Sequence, residues 1–116
     1  MSNISFACKK IDLADLIKCS FDLNKTEYAL FMFLLEQKEE LCASTLGSMM
    51  SKDRTTVQKA IKKLVEKGLV EKHQANLDNG GYTFMYTIKD KEFIRKTILS
   101  IVEGWYAGVV KTISAW

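Results

Sequence analysis

Proline does not occur in this 116-residue chain, and glycine occurs only 6 times. Proline-rich linkers and polyproline recognition segments are thereby excluded, and no Ser/Gly-rich stretch or internal repeat divides the sequence. One domain is expected over residues 1–116, with an N-terminal helix in 1–23, a core in 24–89 and a C-terminal helix in 90–116. Histidine appears once, as His73, and cysteine 3 times, as Cys8, Cys19 and Cys42. The step from Cys8 to Cys19 matches none of the paired zinc-ligand spacings, so no metal is expected. No phosphate loop, nucleophile motif or carboxylate-histidine-nucleophile set can be assembled. Neither enzymatic activity nor a cofactor is expected.

Long apolar runs are also missing. The longest, Tyr28 to Leu35, falls far short of the roughly 20 residues a membrane span needs. Lys9, Lys10 and Asp12 interrupt the apolar start, so no secretory leader is expected, and an odd set of thiols fits a reducing cytoplasm. Two readings of the thiols stay open: inert side chains, or a switch at Cys42, which abuts a helix start whose dipole can lower a thiol pKa.

What is present is an ordinary globular composition, 47% hydrophobic and 27% charged, with a formal charge of +3. That surplus is too small to name a partner, but it is unevenly placed. Residues 54–67 carry Arg54, Lys59, Lys62, Lys63 and Lys67 against the single acid Glu66, which leaves the rest of the chain near neutral.

Periodicity supplies the elements. Ile11, Leu13, Leu16 and Ile17 predict a short helix beginning near Lys10 and fading after Lys18. Asn24 and Glu27 form a capping box, which starts a helix from Lys25 to about Gln37 with apolar residues around most of its circumference. Leu41 and Cys42 read as a brief extended link, Ala43 to Met50 as a short helix, and Ser51 and Lys52 as a turn. Asp53 can cap the next helix by accepting from Thr55 or Thr56, and Gly68 supplies the left-handed position that ends it. Val57, Ala60, Ile61, Leu64 and Val65 point inward from that helix. Leu69 to Gln74 and Tyr82 to Ile88 read as the strands of a hairpin with turn residues in Asn76 to Gly81. The fold class is therefore mainly α with a small β-hairpin (α+β).

Short helix, turn, basic helix and glycine-tipped hairpin is the order of a helix-turn-helix followed by a wing. The tight turn sets the two helices at a steep angle, so that the second can enter a DNA major groove. Arg54, Thr55, Thr56, Gln58, Lys59 and Lys62 are the candidate contacts, with Lys63 and Lys67 beside them. Arginine pairs bidentately with guanine, glutamine with adenine, and threonine meets a thymine methyl or a phosphate. Lys62, Lys63 and Lys67 suit phosphates, which position the protein without reading sequence. Against this stands the plain reading of a solvated basic face. Lys72, His73, Gln74, Asn76 and Asn79 could set the hairpin on the backbone; for His73 an ordinary exposed strand position is an equal alternative.

The segment from Asn24 to Lys89 resembles the winged helix of MarR-like and archaeal TrmB-like transcription regulators, most specifically in Asp53-Arg-Thr-Thr-Val57 and Lys62-Lys-Leu-Val-Glu-Lys-Gly-Leu-Val70. The resemblance implies a winged helix-turn-helix that binds double-stranded DNA. Two departures limit it. Cys42 stands where the family commonly has a Ser or Thr cap, and the tip Asn79-Gly80-Gly81 lacks the arginine that MarR-like wings tend to present to the minor groove. The sugar-binding C-terminal domain of full-length TrmB-like proteins is expected to be absent, and sugar sensing with it.

From Lys91 to Trp116 a sustained stripe runs through Ile94, Ile98, Ile101, Trp105, Val109, Ile113 and Trp116, widened by Phe93, Val102, Tyr106 and Val110. It predicts one long helix with more apolar surface than a small winged domain covers, hence a dimerisation helix. An intramolecular core helix is the alternative, and an effector pocket at a dimer seam lined by Trp105 and Tyr106 stands beside simple packing. The expected function is a homodimeric, sequence-specific regulator on a pseudo-palindromic site, outside the membrane. A winged helix used for protein contact in a transcription or assembly complex shares the fold and remains the alternative.

Overall fold

A computed structural model describes residues 3–116. They form two compact units, residues 3–23 with 91–116, and Asn24–Asp90.

The first unit opens on a hairpin that the sequence did not announce. Strands β1 (Asn3–Phe6) and β2 (Lys9–Asp12) pair antiparallel, with Ile4 opposite Ile11 and Phe6 opposite Lys9. The helix expected to begin near Lys10 is corrected accordingly: residues 9–12 are strand, and α1 runs Leu13–Phe21. Its start is set by Asp12, whose carboxylate accepts from the Asp15 N–H at 2.8 Å. Its end is Asp22 in the left-handed region (φ 53°), with the backbone N–H returned to the Lys18 carbonyl. Contacts join α1 to β2 and to α5 (Lys91–Ala115), which spans about 37 Å at 1.5 Å per residue.

The second unit is built on α2 (Lys25–Leu35), whose capping box is complete: the Asn24 side chain accepts from the Glu27 N–H at 2.8 Å, and the Glu27 carboxylate accepts from the Asn24 N–H at 3.1 Å. Leu30, Phe31 and Leu34 are almost wholly buried, each contributing about 1.5–3 kcal/mol. Around them pack α3 (Ala43–Met50), α4 (Arg54–Glu66) and the hairpin of β3 (Val70–Asn76) and β4 (Tyr82–Ile88). The core adds Leu46 from α3, Val57, Ile61 and Leu64 from α4, and Leu69 and Val70 beyond it.

The exit from α4 is closed by backbone hydrogen bonds. With Gly68 at φ 76°, its N–H reaches the Val65 carbonyl and the Leu69 N–H reaches that of Leu64, the paired bonds of a Schellman stop. The chain thus turns straight into β3. The strand starts one residue later than Leu69 and continues to Asn76, two residues beyond the expected end at Gln74. Leu41 adds a one-residue bridge to the other edge of β4 by exchanging both backbone hydrogen bonds with Tyr86, at 3.0 and 2.9 Å. This is a winged helix-turn-helix, accompanied by a long C-terminal helix.

Candidate nucleic-acid interface

The turn between α3 and α4 determines where the basic helix points. Ser51 closes α3 in the left-handed region (φ 56°), and the Lys52 N–H bonds to the Gly47 carbonyl at 2.9 Å. A Cβ on Gly47 would lie 2.9 Å from the Lys52 carbonyl oxygen, so the turn can close this tightly only because that carbon is missing. Asp53 then caps α4, accepting from the Thr56 N–H at 2.7 Å. That bond holds the Asp53 carboxyl below the usual carboxylate range, with the Lys59 charge adding to the effect. Cys42 caps α3 without a side-chain bond to its backbone; its thiol sits 3.2 Å from the Thr45 hydroxyl, and that contact lowers its pKa.

One stripe of α4, formed by Val57, Ala60, Ile61 and Leu64, is buried. Helical geometry therefore puts Arg54, Thr55, Gln58, Lys59, Lys62 and Lys63 in solvent, and all six are exposed. Thr56 departs from this group: it is half-buried and turns to the flank of α4 facing α2. Glu66 also lies among the lysines and draws Lys63 to 3.5 Å.

On the same flank, Asn24, Thr26 and Glu27 of the α2 start face Thr56, Lys59, Ala60, Lys62, Lys63 and Glu66 across a groove of about 460 Å³. Glu27, 8% exposed, forms its inner wall and meets the Lys67 ammonium at 3.7 Å. Lys67, expected to hold phosphate, is thus tied to the protein itself, because the α4 C-cap falls beside the α2 N-cap.

The wing is also less free than its sequence suggests. In the β3–β4 register Lys72 stands opposite Tyr86, and its ammonium lies 4.2 Å from the centre of the Phe84 ring, a cation–π contact with the diagonal neighbour. His73 Nδ1 lies 2.7 Å from a Glu40 carboxylate oxygen. The tip closes through Leu77 N–H to the Gly81 carbonyl at 2.8 Å, with Gly80 at φ 93°, leaving Asp78 and Asn79 exposed. At the wing's base, burial pushes the Tyr86 phenol up, partly offset by the charge of Arg54.

In the other unit the expected dimerisation stripe divides in two. Ile94 is buried within the single chain at 4% exposure and Ile98 is half-buried. From Ile101 onward every residue is exposed, Trp105 at 64% and Trp116 at 98%. The Thr112 hydroxyl donates to the Gly108 carbonyl at 2.9 Å, so it adds no free polar group to that face. The structure therefore gathers Arg54, Thr55, Gln58, Lys59, Lys62 and Lys63 on one helix surface and leaves Lys72 and His73 in contacts of their own. Thr26 was missed in the sequence; its only signal there is its place beside the Asn24 capping box.

Comparison with known proteins agrees with this geometry. The family model described as "Sugar-specific transcriptional regulator TrmB" matches residues 17–92. An uncharacterized protein of Methanocaldococcus jannaschii is 30% identical over 106 residues, covering 91% of this chain and 87% of its own. A solved structure from Methanosarcina mazei Go1, described as a possible transcriptional regulator, superposes with a TM-score of 0.91 at 34% identity over 99% of this chain and 97% of that one. A MarR family transcriptional regulator from Streptomyces coelicolor follows at a TM-score of 0.53 and 25% identity, covering 89% and 68%.

Proposed function

Because the chain belongs to the TrmB family of winged-helix transcriptional regulators, we propose that it reads duplex DNA as a homodimer, with α4 in the major groove and the β3–β4 wing on the backbone. The observation that carries this reading is the outer face of α4, where Arg54, Thr55, Gln58, Lys59 and Lys62 are exposed while the opposite stripe is buried. Arg54 and Gln58 read base edges, Thr55 touches a thymine methyl or a phosphate, and Lys59, Lys62 and Lys63 hold phosphates. Asn79, exposed at the tip, brings the wing to the backbone. Reading rests on α4, since the wing tip offers Asp78 and Asn79 and no arginine.

The second copy is supported by α5. Ile101, Trp105, Val109, Ile113 and Trp116 form an uncovered apolar surface on a folded helix, an arrangement that water disfavours and a matching surface relieves. Two copies related by a two-fold axis match a pseudo-palindromic site with half-sites about one helical turn apart. Selection of bound fragments from a random duplex library, followed by a salt titration on the winner, tests the reading. A symmetric motif is the expected outcome. No enrichment, with negligible duplex binding at low salt, would instead assign the fold to protein contact.

A further inference from the structure

The groove between α2 and α4 holds a second chemistry, independent of base reading. Its outer wall is the lysine flank of α4, and its opposite wall carries Thr26, a half-buried residue whose hydroxyl makes no hydrogen bond among the described residues. Two carboxylates stand in it, and both are compensated. Glu27 accepts from the Asn24 N–H and side-chain amide and pairs with Lys67; Glu66 pairs with Lys63. No ion pair among the described residues engages Lys59 or Lys62. The groove therefore keeps a positive surplus facing a hydroxyl donor, in a concavity of about 460 Å³ that is larger than one phosphate and open to solvent.

We propose that this groove is a phosphate seat for the DNA backbone, with the Thr26 hydroxyl donating to a non-bridging phosphate oxygen while Lys59 and Lys62 supply the charge. It rests on the duplex-binding reading and adds to it a contact from α2, outside the helix-turn-helix. A strand seated there is gripped from both sides, which fixes how deeply α4 enters the major groove. The compensated state of Glu27 and Glu66 matters: a net negative groove would repel the strand.

The test uses the full chain and two substitutions of opposite sign at Thr26, read by fluorescence anisotropy on the selected duplex and on an unrelated one. Thr26→Glu is expected to weaken both about tenfold and to flatten the salt dependence, whereas Thr26→Lys tightens both and steepens the slope by about one. A gain from Thr26→Lys cannot come from misfolding. If Thr26→Glu and Thr26→Lys both bind as the unaltered chain does while Arg54→Ala loses its preferred sequence, the seat is overturned and the reading of α4 stands. If the unaltered chain binds no duplex, both fall. A titration with inorganic phosphate at constant ionic strength separates the source. Amide shifts at Thr26 and Lys59 that Thr26→Glu abolishes, with duplex affinity untouched, would assign the groove to a free phosphate-bearing ligand and overturn the backbone seat.

Discussion

The carboxylate of Glu27 in the first turn of α2 and the ammonium of Lys67 at the C-cap of α4 lie 3.7 Å apart, at 10% and 24% side-chain exposure. This contact links the start of the core helix to the end of the basic helix. Glu27 also accepts from the Asn24 N–H, so Glu27→Ala strips a cap and removes the carboxylate beside a half-buried lysine. A loss of about 2–3 kcal/mol is expected, read as a lower urea midpoint with an unchanged slope. Lys67→Ala should cost less, and the two changes together less than their sum.

Gly47→Ala places a methyl 2.9 Å from the Lys52 carbonyl oxygen, a backbone atom that cannot yield cheaply. The substitution is expected to destabilise by about 1–3 kcal/mol and to tilt α4 relative to α3. Thermal melting reads the first effect. The second appears as a loss of preference for the selected duplex that exceeds any loss on unrelated DNA.

The Asp53 cap makes the start of α4 sensitive to acid. Its folded pKa lies below the unfolded value, so the stabilisation is fully present above the ordinary carboxylate range of about 4 and disappears as pH falls through the lower folded value. Asp53→Ala should therefore melt below the unaltered chain near neutrality, and the gap should narrow as pH falls through the lowered folded pKa. A gap that stays constant with pH would contradict the cap's charge as its cause.

Glu66 lies 3.5 Å from Lys63, where under the proposed reading it would compete with DNA for that lysine. Both side chains are about half exposed, so Glu66→Gln should leave stability almost unchanged. It should tighten binding to unrelated duplex several-fold and steepen the salt slope by about one. Lys63→Ala, conversely, should cost less than Lys62→Ala.

Trp105 is 64% exposed on α5 and can lose its ring without opening a core. Trp105→Glu should retain helicity, yet light scattering should return a monomer mass at micromolar protein where the unaltered chain returns a dimer, with weaker binding to a symmetric site. A monomer mass for the unaltered chain would remove the dimer from the reading.

Most helices were legible because their signals are local. The capping box at Asn24, the cap at Asp53, the stop at Gly68 and the apolar spacing of Val57, Ala60, Ile61 and Leu64 each act within a few residues of chain. The N-terminal hairpin was not legible, since Ala7 and Cys8 join its strands without any of the Gly, Asn or Asp residues that mark such turns. Residues 10–12 therefore read as the start of the following helix. The bridge between Leu41 and Tyr86 joins positions 45 residues apart, beyond the reach of any local pattern.

For the basic helix, the sequence by itself determined that it forms, where it starts and stops, and that Arg54, Thr55, Gln58, Lys59 and Lys62 share its outer face, because helical periodicity and capping depend on neighbours along the chain. Only the tertiary structure decided which side chains remain available. Lys67 is taken by Glu27, Lys72 by Phe84 and His73 by Glu40, while Thr26 and Lys59 come to face one groove. Ion pairs and cation–π contacts act over a few ångströms of space, and the distances that govern them exist only once the helices have packed.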